Sequence, residues 1–161
     1  MSGGRRLEKD RLAGLIKDVS FFENFSREEM EFLASADCKA IRYLPSEEII
    51  SEGEVDSALY VLLRGVIAIA KSAILSSTKK PGKVRIARLK PGAVFGEISL
   101  ISSCPRTTSV LAEREAIVLK IEGKTLRKMD PVFVNKIQKR LIELLVARLD
   151  DMNSQYVEKE R

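Results

Sequence analysis

Two charged residues within one apolar segment, Glu97 and Arg106, have the side chains best suited to bind a ligand. An arginine presents a rigid fork of donors that suits a pair of phosphate oxygens. A glutamate accepts hydrogen bonds, for example from sugar hydroxyls. Gly96 permits close approach to the backbone, and a helix that begins after it would point free N–H groups at an anion. Together these residues predict a site for a phosphorylated sugar.

Spacing alone leaves a second explanation open. Glu97 and Arg106 could simply pair with each other, since ion pairs are common and contribute little. Glu97 could also do no more than favour the start of a helix. The residues by themselves do not choose between a ligand site and a local ion pair.

The composition argues against several classes of function. The chain has 161 residues, enough for one domain with a helical appendage, and it contains no histidine and no tryptophan. Missing histidines disfavour metalloenzymes and Ser-His-Asp catalysis, and Cys38 and Cys104 form neither a disulfide framework nor a zinc pattern. The net charge of +5 is compatible with an anionic partner but does not identify one. With no apolar run of roughly 18–20 residues and no signal-peptide pattern, we expect a cytoplasmic protein without a membrane span.

Short helices are predicted before residue 38, and strands after it. An apolar stripe of Leu7, Leu12, Leu15 and Ile16 indicates a first helix, and Ser26 begins a capping box for a second. From Cys38 onward, short Val- and Ile-rich runs separated by Gly, Pro or charged turns predict a β-sandwich or barrel. The polar residues 75–83 are expected to join two strands of a hairpin.

Helical periodicity returns after Gly123. Thr125 to Met129 predicts a short helix, and Asp130-Pro131 marks a break before a long helix that reaches about Tyr156. This helix has two apolar faces, and the second must pack either on the same domain or on another copy of the chain. One face comprises Val134, Ile137, Leu141 and Leu144, and the other Ile142, Leu145, Leu149, Met152 and Tyr156.

The segment of residues 95–110 resembles the phosphate-binding cassette of the cyclic nucleotide-binding domain family, found in catabolite activator proteins, cyclic-nucleotide-dependent kinases and gated channels. Upstream, residues 52–69 are similar to the family's conserved strands, with matches at Gly53, Asp56, Leu59, Tyr60 and Gly65. The resemblance implies a mainly β fold, an eight-stranded jelly-roll (double-stranded β-helix) with N-terminal helices and C-terminal B and C helices. It implies an N-terminal helical segment (residues 1–20), a nucleotide-binding β-roll (21–130) and a C-terminal helix (131–161) that covers the ligand.

The resemblance also implies roles for the cassette residues. Gly96 would allow close approach, Glu97 would accept the ribose 2′-hydroxyl, and the backbone N–H groups of Ile98 and Ser99 would bind phosphate. The remaining implied contacts are Arg106, which would neutralise the cyclic phosphate, and Thr107 and Thr108, of which Thr107 would donate its N–H.

Residues outside the cassette are expected to surround the base. Ile69, Ile86 and Leu89 fall at strand positions that form the base wall in relatives, and they could equally be ordinary core residues. Met152 and Asn153 fall on the part of the C helix that would close over the purine, although Asn153 could also be an exposed helix residue.

The implied function is a stand-alone cyclic-nucleotide sensor of the bacterial type, not an enzyme, that needs no metal or further cofactor. We expect cAMP to be favoured over cGMP, although Thr107 is compatible with both, and we expect the signal to pass through the C-terminal helix. The partners expected are the nucleotide, a second copy of the chain at the C-terminal helix and an unidentified effector protein, with no direct DNA or membrane binding. The alternative is a ligand-free module of the same fold that acts as a protein–protein adaptor. For the sensor, Arg106→Ala should weaken nucleotide binding at least about tenfold while the fold survives.

Overall fold

The computed structural model describes residues 5–7, 9–35 and 38–161. It divides the chain into two compact units, Met1–Leu126 and Arg127–Arg161. The first unit contains the β-structure, and the second consists mainly of one long helix.

The first unit begins with short helical elements and continues with strands. Its helices are α1 (Lys9–Ile16), a 3-10 helix (Ser20–Phe22), α2 (Arg27–Leu33) and α3 (Glu97–Ser102), and α4 (Gly123–Lys128) follows the last strand. Its strands are β1 (Arg5–Arg6), β2 (Cys38–Tyr43), β3 (Glu48–Ile50), β4 (Leu59–Arg64), β5 (Ile67–Ile74), β6 (Pro81–Leu89), β7 (Val94–Phe95), β8 (Ser109–Ala112) and β9 (Ala116–Ile121).

The strands form two antiparallel sheets. One has the order β1-β2-β9-β4-β7 and the other β3-β8-β5-β6. Successive strands repeatedly change from one sheet to the other, and only the β5–β6 hairpin stays within one sheet after β2. The strands β2 to β9 form the expected eight-stranded β-roll of jelly-roll type, and the fold class is therefore confirmed.

The core of this unit lies between the sheets. Strands β4 and β9 are buried along almost their whole length, which agrees with their nearly uninterrupted apolar sequences. Gly65, at the turn after β4, has a positive φ of 92°, and a side chain there would collide with the Glu115 carbonyl. The core cluster draws side chains from both sheets, and it includes Tyr43, Ile50, Tyr60, Leu62, Ile67, Phe95, Val110 and Val118.

The N-terminal region is partly as predicted. Ser26 caps α2 by accepting a hydrogen bond from the Glu29 N–H at 3.1 Å, which confirms the predicted cap. The prediction that Leu7 belongs to the first helix is wrong, because β1 pairs with β2 and the Leu7 N–H donates to the Ala40 carbonyl at 2.8 Å. Leu7 therefore continues an extended segment, since the open edge of β2 provides hydrogen-bond partners there.

The second unit is dominated by α5 (Pro131–Lys159), which begins at an Asp130 cap with proline in its first turn, as expected. Its two apolar faces differ in exposure. Ile137 and Leu141 are buried, whereas Ile142, Leu149, Met152 and Tyr156 are exposed. Among the described residues, no helix has the length and apolar character that crossing a membrane requires.

Candidate anion-binding site

The site is built around the turn between β7 and α3. Gly96 caps α3 with a φ of 81°, a left-handed conformation that favours glycine. A Cβ at this position would lie 2.9 Å from the Ala58 carbonyl oxygen and 2.9 Å from Arg106 Nη1. The turn therefore needs a residue without a side chain, both for its backbone angle and for the close approach of Arg106.

Arg106 is the charged centre of the site, and it is only 4% exposed. Its Nη1 donates to the Gly96 carbonyl at 2.8 Å, and its Nη2 donates to the Ala58 carbonyl at 2.8 Å and to Asp56 Oδ2 at 3.0 Å. The buried Nε–H has no acceptor among the described residues. A buried donor without an acceptor is costly, so this N–H is suited to an oxygen atom brought by a ligand.

An aromatic pair supports the arginine from one side. The guanidinium carbon of Arg106 lies 5.7 Å from the centroid of the Tyr60 ring, within the range of a cation–π contact. The Tyr60 ring stacks on Phe95 at 5.2 Å with planes 10° apart. Because β4 and β7 are paired at these two residues, the sheet register places the rings under the arginine.

Asp56 supplies the compensating negative charge. Burial alone would raise the pKa of its carboxyl, but hydrogen bonds from Arg106 and from the Ala58 N–H outweigh that effect and hold the pKa below its ordinary value. Burial, together with the Asp56 carboxylate, raises the pKa of the Tyr60 phenol. Asp56 is therefore ionised, and Tyr60 neutral, at neutral pH.

The backbone around Arg106 is held by the loop between β3 and β4. The Gly53 N–H donates to the Arg106 carbonyl at 2.8 Å, and the Arg106 N–H donates to the Glu54 carbonyl at 2.8 Å. The Glu52 N–H donates to Ser109 Oγ at 3.0 Å. The backbone around Arg106 lies outside helices and strands, so these hydrogen bonds satisfy its polar groups and hold it in place.

Lys71, on β5, contacts the residue that follows Arg106. Lys71 Nζ donates to the Thr107 carbonyl at 2.6 Å and forms an ion pair with Glu52 Oε1 at 3.3 Å. Glu52 Oε2 in turn accepts from the Ser72 N–H at 2.9 Å. A strand, a loop and the segment after Arg106 therefore meet at this point.

The predicted cassette residues lie along this turn and segment. Glu97 and Ser99 are buried in the first turn of α3, and the backbone of Ile98 lies between them. The side chain of Ile98 lies outside the described part of the structure. Thr107 is exposed and Thr108 is partly buried. The hydrogen bond from Arg106 to Gly96 brings the two ends of the cassette together.

The residues expected around a base are less uniform. Ile69 and Leu89 are partly buried and pack against the core cluster, which agrees with a role as ordinary core residues. Ile86 lies at the register shift of the β5–β6 ladder and is 58% exposed, so it is not an ordinary core residue. Met152 and Asn153 belong to the second unit, in which both are exposed.

Several contacting residues were not among the predicted site residues. Asp56 could have been identified from the sequence, because it is one of the upstream positions that match the family pattern. No sequence pattern marks Lys71 and Glu52, since an ordinary surface ion pair has the same residue types. No candidate metal cluster is found in the part of the chain that the structure describes.

Comparison with known proteins identifies a matching family model. Residues 40–129 match the model described as the cyclic nucleotide-binding domain. This range includes both sheets apart from β1 and the first two residues of β2, and it includes the whole turn from Gly96 to Thr108.

Individual relatives match over a similar share of this chain but over a small share of their own length. The chain is 29% identical over 97 residues to a cAMP-dependent protein kinase regulatory subunit from Mycosarcoma maydis, covering 60% of this chain and 17% of that protein. It is 31% identical over 94 residues to the cyclic nucleotide-gated channel beta-3 of Canis lupus familiaris, covering 56% of this chain and 11% of the channel. The chain thus matches less than a fifth of the length of each.

A similar structure covers nearly the whole chain. A cyclic nucleotide-binding domain from Methylobacillus flagellatus superposes with a TM-score of 0.77 at 22% identity, over 97% of this chain and 89% of that one. At this identity the likeness shows the fold.

Proposed function

Because the chain belongs to the cyclic nucleotide-binding domain family, we propose that it binds a cyclic nucleotide at residues 95–110 and acts as a regulatory module, not as an enzyme. The cyclic phosphate lies between the first turn of α3 and Arg106. Glu97 accepts the ribose 2′-hydroxyl, and the N–H groups of Ile98, Ser99 and Thr107 donate to phosphate oxygens.

One observation carries this proposal most directly. The guanidinium of Arg106 is buried beside the Gly96 turn, yet its Nε–H lacks an acceptor among the described residues. An unpaired charged donor inside a protein loses its interaction with water, and a phosphate oxygen restores it with a charge-assisted bond. A purely structural arginine would be expected to use this donor within the protein.

The finer points of the proposal concern the base and the signal. We favour cAMP over cGMP, with support from the similarity to the regulatory subunit of a cAMP-dependent kinase. Ile69, Ile86 and Leu89 line the base, and Met152 and Asn153 contact it when α5 closes. Binding then shifts the equilibrium of α5 from an open to a closed state. The size of this shift is set by the difference between the nucleotide's affinities for the two states.

The exposed face of α5 is proposed to join two copies of the chain. Ile142, Leu149, Met152 and Tyr156 recur at heptad-like spacing, and all four are exposed. A second copy presents the same apolar face, so a parallel or antiparallel pair would bury both. The effector protein, the cytoplasmic location and the absence of direct DNA binding stay predictions from the sequence.

Calorimetric titration with cAMP, cGMP and the non-cyclic control 5′-AMP tests the proposed function. We expect saturable binding of at least one cyclic nucleotide, tighter for cAMP, and much weaker binding of 5′-AMP, whose phosphate carries an additional charge and lacks the ring. Silence towards both cyclic nucleotides would refute the proposal and favour the adaptor alternative.

A further inference from the structure

A half-exposed ion pair borders the anion-binding turn without belonging to the cassette. Lys71 lies on β5 and Glu52 in the loop before β4, and their charged atoms are 3.3 Å apart. Surface pairs of this type usually contribute little to stability. This one also contacts the cassette backbone, because Lys71 Nζ donates to the Thr107 carbonyl at 2.6 Å.

The lysine is close to where an anion would bind. Thr107 directly follows Arg106, and standard bond lengths limit the separation of a residue's own nitrogen and oxygen to about 3.6 Å. The ammonium of Lys71 therefore lies within roughly 6 Å of the Thr107 nitrogen. An anion oxygen that accepts from the Thr107 N–H lies about 2.9 Å further away, so it is within roughly 9 Å of the ammonium. A unit charge at about 9 Å still acts on a bound anion at low salt, where the Debye length is longer than this distance.

Glu52 places an opposing charge at the same point. Its carboxylate is held between Lys71 and the Ser72 N–H, and its own N–H donates to Ser109 Oγ. The hydrogen bond from Ser72 is the main reason that the pKa of Glu52 lies below its ordinary value, and Lys71 adds to the effect. The carboxylate is thus ionised and fixed in position at neutral pH.

We propose that Lys71 and Glu52 set the affinity of the site for the ligand phosphate, with Lys71 raising it and Glu52 limiting it. The inference rests on the proposed function, because it assigns these two residues to the phosphate end of that site. Lys71 acts as a positioning residue through the Thr107 carbonyl and as a nearby positive charge. Glu52 holds the lysine in place and partly offsets its charge.

The chain offers a matched control for the lysine. Lys83 lies on the neighbouring strand β6, pairs with Glu48 at 3.2 Å, and has a side chain 42% exposed against 50% for Lys71. No described contact links Lys83 to residues 105–109. Its partner Glu48 also hydrogen-bonds Ser109, so Lys83 is linked to this region only through a second side chain. Lys83→Met therefore removes the same charge from the same sheet without removing a direct contact to the segment after Arg106.

The test measures dissociation constants of cAMP and cGMP for the parent and three variants at low salt. We expect Lys71→Met to weaken binding about three- to tenfold, Glu52→Gln to tighten it about two- to fivefold, and Lys83→Met to change it less than about twofold. Glutamine keeps an acceptor for the Ser72 N–H, so Glu52→Gln removes charge without removing that bond. In 1 M salt the Debye length falls to about 3 Å, and the Glu52→Gln gain should largely disappear.

Two results would overturn the inference. One is that Lys71→Met behaves like Lys83→Met, and the other is that Glu52→Gln weakens binding as Lys71→Met does. If the parent binds neither nucleotide, the proposed function fails, and inorganic phosphate then decides the role of the pair. Phosphate binding is followed by the amide resonances of residues 96–99 and 107. The affinity for phosphate should be highest for Glu52→Gln, intermediate for the parent and lowest for Lys71→Met. Phosphate binding without that order, or no phosphate binding, would reject the pair as well.

Discussion

Replacing Arg106 with alanine tests whether the arginine supports the fold as well as the ligand. The substitution leaves three acceptors without their donor: the carbonyls of Gly96 and Ala58 and the carboxylate of Asp56. The expectation that the fold survives this change assumed that Arg106 has no stabilising contact in the interior. The structure contradicts that assumption, because Arg106 is buried and bonded to Gly96 at the start of α3 and to Asp56 and Ala58 in the loop before β4.

The size of the loss follows from these contacts. Hydrogen bonds to charged groups contribute about 1.5–3 kcal/mol each, and breaking a buried ion pair costs about 3–5 kcal/mol. Asp56 has a side chain 28% exposed, so water replaces part of its lost interaction. We therefore expect Arg106→Ala to lower the free energy of unfolding by about 2–4 kcal/mol.

Urea unfolding followed by circular dichroism measures this loss. With an m-value of about 2 kcal/mol/M, the midpoint of Arg106→Ala should fall by roughly 1–2 M. Arg85→Ala is the control, because Arg85 is 56% exposed and pairs with Glu113 at the surface. That control should change the free energy by less than about 1 kcal/mol. Equal midpoints for the two variants would refute the structural role assigned to Arg106.

The other predictions concern acid stability, assembly and the helix response. Because the pKa of Asp56 is lowered in the folded state, this carboxyl is protonated in the unfolded state first as the pH falls. The contribution of Asp56 to stability should therefore be full at neutral pH and be lost as the pH falls below about 4. Asp56→Asn should flatten that part of a pH–stability profile. Leu149→Glu should convert a dimer to a monomer in light scattering while Lys139→Glu does not, and a parent protein that is monomeric at high concentration would contradict the dimer. Saturating nucleotide should slow hydrogen exchange across residues 145–156, whereas unchanged exchange despite tight binding would exclude α5 as the responding element.

Local features of this protein could be predicted from the sequence because short-range physics governs them. Ser26 caps α2 through a residue three positions away, and Asp130 with Pro131 begins α5. Gly96 adopts a left-handed turn that other residues rarely tolerate, which places α3 directly after β7. The polar loop of the β5–β6 hairpin is confirmed for residues 75–80, whereas residues 81–83 of the predicted loop belong to β6 because they pair with β5.

The tertiary structure decided which distant groups meet at the site. Arg106 bonds to Asp56 and Ala58, and Lys71 reaches Thr107, through contacts between strands and loops far apart in the chain. Such contacts depend on strand order and register, and a shift of one residue in register would turn a side chain to the other face of its sheet. For the same reason, periodicity could not show that Ile86 is exposed while Ile69 and Leu89 pack on the core. The residue types of the anion site are thus local information, whereas its charge balance arises only when the two sheets assemble.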